Sequence, residues 1–316
     1  MGRTAKKRLF YAFSASWILL LGLLLPCATV IAFSGTNSTR VPVANGPLVS
    51  YISSFENTVL SSGYVAPTEG EIQLIRKAAS MLVAGLSSHD PDSFSTAIVY
   101  ASRVRYEVVN YTDTDSESYH YVLREKSSRV RGYGIFIFNP VQSSNVIVEV
   151  PHPGTDVQTG TVGIRIYSDS RPRAFLMAGA RRDAGAQADV ARNVKSFFEA
   201  VHETLVSSKS IVVQVHGFSQ SNRVGYPEVV ISTGSAIVSS WAQALRNAFV
   251  SVGFEVGIYD GSSWDDLAGT TNVQGKYVNL IGASFLHVEL SLKLRTENQP
   301  LTVDALTSFV SGTLGS

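Results

Sequence analysis

Three short runs of aliphatic and aromatic residues each deliver polar chemistry within them or at their ends. Val146–Val150 runs straight into Pro151-His152, with Asp156 following in the same turn region. Ile211–Val215 runs into His216-Gly217. Phe285–Leu290 carries His287 and Glu289. Runs of this length, rich in β-branched residues and bounded by Pro or Gly, predict buried strands. Further strands are predicted over Arg173–Ala178, Val229–Ser232 and Phe254–Tyr259. Helical spacing alternates with them: near Val157–Tyr167, along Val190, Val194, Phe197, Val201 and Leu205, along Ile237, Trp241, Leu245, Phe249 and Val252, and over Gln274–Ile281. Strand–helix alternation predicts a largely parallel sheet covered by helices on both faces.

Upstream the pattern differs. Thr68-Glu69-Gly70-Glu71 is a capping box opening a helix whose apolar stripe is Ile72, Ile75, Ala79, Leu82 and Leu86. Arg103–Tyr111 and Tyr119–Leu123 alternate with period two across a polar loop, which predicts a hairpin, and Gly132–Phe138 reads as another strand. His120 is out of phase with Tyr119 and Tyr121, which places it on the solvated face. The hairpin adds antiparallel strands at one edge. The expectation is an α/β domain over residues 67–316, three-layered, with a mixed, mostly parallel sheet. Residues 33–66, rich in Ser, Thr, Gly and Asn, read as a linker, and the tail after Arg295 as polar and uninformative.

The first residues form a separate object. Arg3, Lys6, Lys7 and Arg8 precede an uncharged stretch, Leu9–Phe33, with small residues around Ala32. This is the pattern of a secretory signal over residues 1–32, with an uncleaved membrane anchor as the rival. Either puts the remainder outside the cytoplasm, secreted or anchored, with membrane contact through this segment alone. Cys27, the only cysteine, lies inside it, so the exported part has neither a disulfide nor a thiol nucleophile. The formal net charge is +1 and the body has no basic stripe, which argues against nucleic acid as a partner.

In an open α/β sheet, ligands gather beyond the carboxyl ends of the strands. His152 and His216 both sit there, and Asp156 comes from the loop after His152. Two imidazoles and a carboxylate form the ligand set of a zinc ion that keeps an open position, and water on such a zinc has its pKa lowered towards neutrality. His287 and Glu289 are two apart on a strand and share a face; an ionisable pair in so apolar a run needs partners. Glu289 beside a zinc-activated water has the position of a general base.

The order His152–x–x–x–Asp156, then strand-borne His216, then Glu289 on a late strand resembles the zinc carboxypeptidases and their relatives, including the poly-γ-glutamate hydrolases and the N-formylglutamate amidohydrolase-like proteins. The phrases Glu149-Val150-Pro151-His152-Pro153, Gln214-Val215-His216-Gly217-Phe218 and His287-Val288-Glu289-Leu290-Ser291 carry the likeness, which covers roughly Tyr106–Arg295. This chain departs from that group in having Asp at the carboxylate position, one residue further from the histidine than the commonest form. The resemblance implies a zinc carboxypeptidase-like fold, Zn2+ held by His152, Asp156 and His216, and Glu289 as catalytic base. It also implies an arginine for the oxyanion or a substrate carboxylate: Arg182 is the preferred candidate and Arg181 the alternative. Asn272, in the polar loop Thr270–Gly275, and His287 are candidate substrate contacts. The implied substrate is peptide-like or γ-glutamyl, small or polymeric, and the reaction is amide hydrolysis.

Two other readings compete. One is a serine hydrolase built on His216-Gly217, with Asp260 and His287 completing a triad, although neither Gly217-Phe218-Ser219-Gln220-Ser221 nor Gly282-Ala283-Ser284-Phe285-Leu286 completes the Gly-x-Ser-x-Gly elbow. The other is an exported binding protein that keeps the scaffold without catalysis.

Overall fold

A computed structural model describes residues 41–126, 130–141 and 144–313. The predicted signal or anchor segment lies outside the described residues. In chain order the first half comprises β1 (Val43–Gly46), α1 (Leu48–Glu56), α2 (Glu69–Ser88), α3 (Pro91–Arg103), β2 (Tyr106–Asp113), β3 (Tyr119–Glu125), β4 (Ile135–Phe138) and β5 (Val146–Val150). There follow α4 (Thr159–Ser170), β6 (Ala174–Met177), α5 (Phe197–Leu205), β7 (Ile211–Phe218), β8 (Val229–Ser232), α6 (Ser240–Ser251) and β9 (Val256–Ile258). The chain closes with α7 (Val273–Leu280), β10 (Ser284–Ser291), α8 (Leu292–Arg295) and α9 (Gln299–Gly312).

Among the described residues all the strands belong to one sheet in the order β1-β2-β3-β4-β6-β5-β7-β10-β8-β9. The central run β6-β5-β7-β10 is parallel throughout, as are β1–β2 and β8–β9. The pairs β2–β3, β3–β4, β4–β6 and β8–β10 are antiparallel, so the sheet is mixed as expected. One face is covered by α1, α4, α6 and α9, whose Leu48, Ile52, Ile166, Phe249 and Phe309 share a core with Val148, Val213 and Val288. The other face is covered by α2, α3, α5 and α7, packed through Ile75, Leu82, Phe198, Val201 and Val278 onto Ile147, Val212 and Phe285. Burial of both faces explains why the central strands read as unbroken apolar runs. Among the described residues no helix is long and apolar enough to cross a membrane.

Several sequence expectations change. The stretch read as a linker belongs to the fold from Val43 onward: β1 pairs with β2, and α1 buries Leu48 and Ile52 completely. Its polar composition misleads because α1 is amphipathic: Ser50 and Ser54 face solvent, and Ser53 meets Thr161 of α4. At its end, Glu56 takes over the cap of another helix. Gln158, ahead of α4, has left-handed backbone (φ 69°) and no capping bond. Glu56 instead accepts from Gly160 N (3.0 Å) and Thr161 N (2.8 Å). The tail also belongs to the core, since α9 buries Val303, Leu306, Phe309 and Val310. The stripe from Val190 to Leu205 is helical only from Phe197; the preceding residues run as irregular chain past the site. His120 is buried, not solvated: Ser118 Oγ and Tyr167 Oη lie 2.9 Å from its two ring nitrogens, and it is Tyr119 that faces solvent.

Candidate metal and catalytic site

Strand alternation assembles the site. On β7 and β10 one face carries Val213 and Val215 beside Leu286, Val288 and Leu290, all in the core under α4 and α9. The opposite face becomes polar towards the carboxyl ends: Val212, Gln214, His216 on β7 and Phe285, His287, Glu289 on β10. Parallel register sets Gln214 beside His287 and His216 beside Glu289, with Glu149 of β5 next to Gln214. The polar row therefore crosses neighbouring strands at fixed sheet spacing. His152 and Asp156 reach it from the turn after β5.

His152, Asp156 and His216 are all buried and form one group able to hold a metal ion. His152 Nδ1 lies 3.3 Å from Asp156 Oδ2 and 3.1 Å from His216 Nδ1, and His216 Nδ1 lies 3.6 Å from the same Oδ2. The other ring nitrogens are committed elsewhere. His152 Nε2 donates to Asp189 Oδ1 at 2.9 Å, and His216 Nε2 donates to Gln214 Oε1 at 2.7 Å. A carboxylate or amide oxygen can only accept, so each Nε2 carries a proton, and each ring, when neutral, presents its Nδ1 lone pair inward. With both rings neutral, three lone-pair atoms converge on one point. Around zinc at roughly 2.0–2.1 Å, tetrahedral ligand atoms stand about 3.3 Å apart, the spacing found here. The donor set fits the ion. Asp189 holds the His152 ring in place from its Nε2 side, as carboxylates do for metal-bound histidines.

The charges favour this geometry at Asp156 and His216, whereas His152 holds a proton more tightly than a free imidazole and would release it to an incoming cation. Burial opposes protonation of His152, but Asp156 and Asp189 outweigh it and raise its pKa. Burial opposes ionisation of Asp156, and His152 and His216 overcome it, holding the carboxyl well below its usual range. Burial drops His216 to about 4, so it is neutral at pH 7. Arg182 lies beside the pair: Nη2 is 3.0 Å from Asp156 Oδ1, an ion pair whose alignment falls short of a hydrogen bond, and Nη1 is 3.4 Å from His152 Nδ1. Its side chain is 43% exposed, which leaves part of the guanidinium open to a ligand.

Glu289 is buried beside His216, and its Oε2 has no hydrogen-bond partner among the described residues. Burial, with Asp156 adding to it, pushes its pKa up to about 8, while His152, Arg182 and Arg295 pull the other way. A carboxyl poised near neutrality, close to the lone-pair cluster, is suited to take and return a proton. His287 stacks on His216 with ring centroids 4.1 Å apart, and Gly269 closes its other side, where a Cβ would stand 2.6 Å from the ring. Burial drives its pKa far below the usual value, so it packs as a neutral ring.

No known family profile matches the chain, and no curated protein does. Several solved structures are similar. One is a bacteriophage poly-γ-glutamate hydrolase, 12% identical, covering 54% of this chain and 84% of that one, with a TM-score of 0.39. Another is an N-formylglutamate amidohydrolase from Ralstonia eutropha, 9% identical, covering 57% and 96%, at 0.40. A third is a metallo-carboxypeptidase from Burkholderia cenocepacia, 12% identical, covering 71% and 68%, at 0.38. They bear the names of the group that the sequence motifs resemble. Likeness at this level carries no argument about activity, and the reading of the site rests on its own atoms.

Two sequence candidates are not part of the cluster as expected. Arg181 forms a two-pronged exposed pair with Asp183, both contacts 3.0 Å, whereas Arg182 is the arginine that lies beside Asp156. Asn272 caps α7 through Gly275 N (2.9 Å) and donates to Gln214 Oε1; it is buried, with both ends of its amide engaged within the protein. The serine-hydrolase alternative also fails. Ser219 and Ser221 bond each other at 2.8 Å, Ser284 starts β10 at the end remote from Glu289, and Asp260 is spent on Ser262 and Ser263.

Sequence reading missed Arg295. This buried guanidinium donates to three carbonyls: Leu290 from Nε (3.1 Å), Phe218 from Nη2 (3.1 Å) and Val157 from Nη1. Leu290 follows Glu289, Val157 follows Asp156, and Phe218 closes the strand that carries His216. One cation thus ties the three site-bearing segments together. Gly217 makes room for it, since a Cβ there would fall 2.3 Å from Arg295 Cζ.

Proposed function

We propose that the protein is a zinc-dependent hydrolase that cleaves an amide bond in a peptide-like, carboxylate-bearing substrate. The observation that carries this reading is the convergence of His152 Nδ1, His216 Nδ1 and Asp156 Oδ2 at 3.1–3.6 Å, with the opposite ring nitrogens already engaged. Bound zinc would supply a Lewis acid and lower the pKa of a water. The remaining roles belong to the chain. Glu289, held near neutrality by burial, accepts a proton from the attacking water and passes it to the leaving nitrogen. Arg182, anchored on Asp156 and half open to solvent, grips the substrate carboxylate or the developing oxyanion. His287 stays neutral and shields Glu289 and His216 from solvent. Asp156 is shorter than the Glu of the resembled group, and the extra residue before it offsets the lost reach. The motif resemblance suggests γ-glutamyl linkages first and acylated amino acids second. The pattern over residues 1–32 supports action outside the cytoplasm, after export or at a membrane.

The test is a screen of the purified chain against γ- and α-linked glutamyl peptides and N-acyl amino acids, with and without chelator. Activity is expected to require zinc at one equivalent per chain. Glu289→Gln is expected to keep the zinc and lose about 10²–10⁴ in kcat. Turnover that survives both chelation and Glu289→Gln would rule the reading out. Stoichiometric zinc without turnover on any of these substrates would favour the non-catalytic binding protein.

A further inference from the structure

Behind His216 lies a row of fully buried polar side chains that the proposed chemistry does not use: Gln214, Glu149, His202, Gln274 and Glu199. Glu149 Oε1 is 2.6 Å from His202 Nδ1, and neither side chain has any exposure. Such a pair does little for stability, because well-packed apolar residues of similar volume serve a core at least as well. Its connections give it another use. Gln214 Nε2 donates to Glu149 Oε2 at 2.9 Å and to Gln274 Oε1 at 3.3 Å. Gln214 Oε1 accepts from His216 Nε2 and Asn272 Nδ2.

An amide can turn over, exchanging its donor and acceptor ends. Here every neighbour forbids it. Glu149 as a carboxylate can only accept. Gln274 is itself held, since its Nε2 donates to Val190 O (3.0 Å) and Glu199 Oε2 (2.6 Å). Asn272 is held because its Oδ1 caps α7 at Gly275 N. Reversing Gln214 would set donor against donor at His216 and Asn272, and acceptor against acceptor at Glu149 and Gln274. A carboxylate at 214 would also accept from His216, but it would stand unpaired beside Glu149 on the adjacent strand. The position requires a group that accepts on one side and donates on the other.

We infer that Gln214, locked in one orientation by the buried Glu149–His202 pair, Asn272 and Gln274, is a positioning residue that fixes His216 as the Nε2–H tautomer and so directs its Nδ1 lone pair at the metal. The inference rests on reading His216 as a metal ligand. It adds a buried network reaching α5 and α7 as the device that sets ligand chemistry from behind the sheet. Removing an orienting partner of this kind typically weakens metal affinity by about 10- to 100-fold.

The experiment uses the full chain and two readouts. In the metal-free protein at pH 7, ¹⁵N shifts of the His216 ring report the tautomer; competition with a chromophoric chelator reports zinc affinity. Wild type is expected to be entirely Nε2–H. Gln214→Met, which keeps volume and loses both polar ends, is expected to show mixed tautomers and the 10- to 100-fold weaker zinc binding. The double exchange Glu149→Gln with Gln214→Glu restores the acceptor facing His216 and a donor between strands but leaves Gln274 Oε1 against a carboxylate oxygen, and is expected to recover the Nε2–H tautomer with zinc affinity still below wild type. A wild-type His216 that is mixed or Nδ1–H overturns the inference without any variant. So does a folded Gln214→Met with unchanged tautomer and affinity. If wild type binds no zinc, the proposed function falls, while the metal-free spectrum still decides the role of Gln214.

Discussion

At the scale of single residues, burial decides which groups titrate where. His120 shows this away from the site. Burial lowers it to about 4, with Asp113 opposing and Arg171 adding. The unfolded chain takes up a proton near pH 6.5 that the folded chain refuses until about pH 4. Its contribution is therefore full above pH 6.5 and is lost as pH falls through that window, by at most roughly 3 kcal/mol. Denaturant titrations from pH 7 to 4 are expected to show this loss in wild type and a flatter acid limb in His120→Gln. The same residue marks a limit of pattern reading. Tyr119, Tyr121 and Leu123 look like an inward face, yet a tyrosine tolerates solvent, and His120 has partners reached only through tertiary structure. His152, His216 and Glu289 were legible because strand ends converge by rule. Asp189, Gln214 and Arg295 were not: their meaning lies in contacts to residues distant in sequence. Arg181 and Arg182 are neighbours in sequence, and the turn sets one on Asp183 at the surface and the other beside Asp156.

At the scale of elements, the site depends on segments held end to end more than on any one strand. Arg295 on α8 joins the carboxyl end of β7, the turn after β5 and the end of β10. Gly217→Ala puts a methyl where the guanidinium lies. It is expected to cost about 1–3 kcal/mol in thermal unfolding and to weaken zinc binding, because the three segments must part to relieve it. Gly70→Ala, with nothing within 4 Å of the added carbon, is the control and is expected to leave both unchanged or slightly improve stability. Apolar runs and helical spacing revealed the central strands and most helices. They missed α1 and α9, whose apolar residues are diluted by Ser and Thr and become a stripe only against the sheet. They overextended α5, because Val190 and Val194 keep helical spacing in chain that is not helical.

At the scale of the whole molecule, zinc is expected to act as a stabilising ligand, because the unfolded chain does not gather His152, Asp156 and His216. Free metal at a hundred times its dissociation constant adds about 2.7 kcal/mol. Calorimetry should therefore find a Tm that rises with zinc and falls with chelator in wild type, and a Tm indifferent to both in His216→Ala. An unchanged wild-type Tm would mean that the lone-pair cluster does not take up the ion. The layered architecture was readable from alternation alone, but its full extent was not, since α1 and α9, near the two ends of the described residues, both cover one face of the sheet.

The placement of α1 has a consequence for chain integrity. α1 is joined to α2 through Ser61, Ser62 and Gly63, all exposed, whereas its own hold on the body is buried: Leu48 and Ile52 in the core, and Glu56 on the amino end of α4. A protease that cuts within Ser61–Gly63 breaks a covalent link that the fold scarcely uses. The two fragments are expected to co-elute on gel filtration as a nicked but assembled protein. Glu56→Ala, by freeing the amino end of α4, is expected to let the short fragment go.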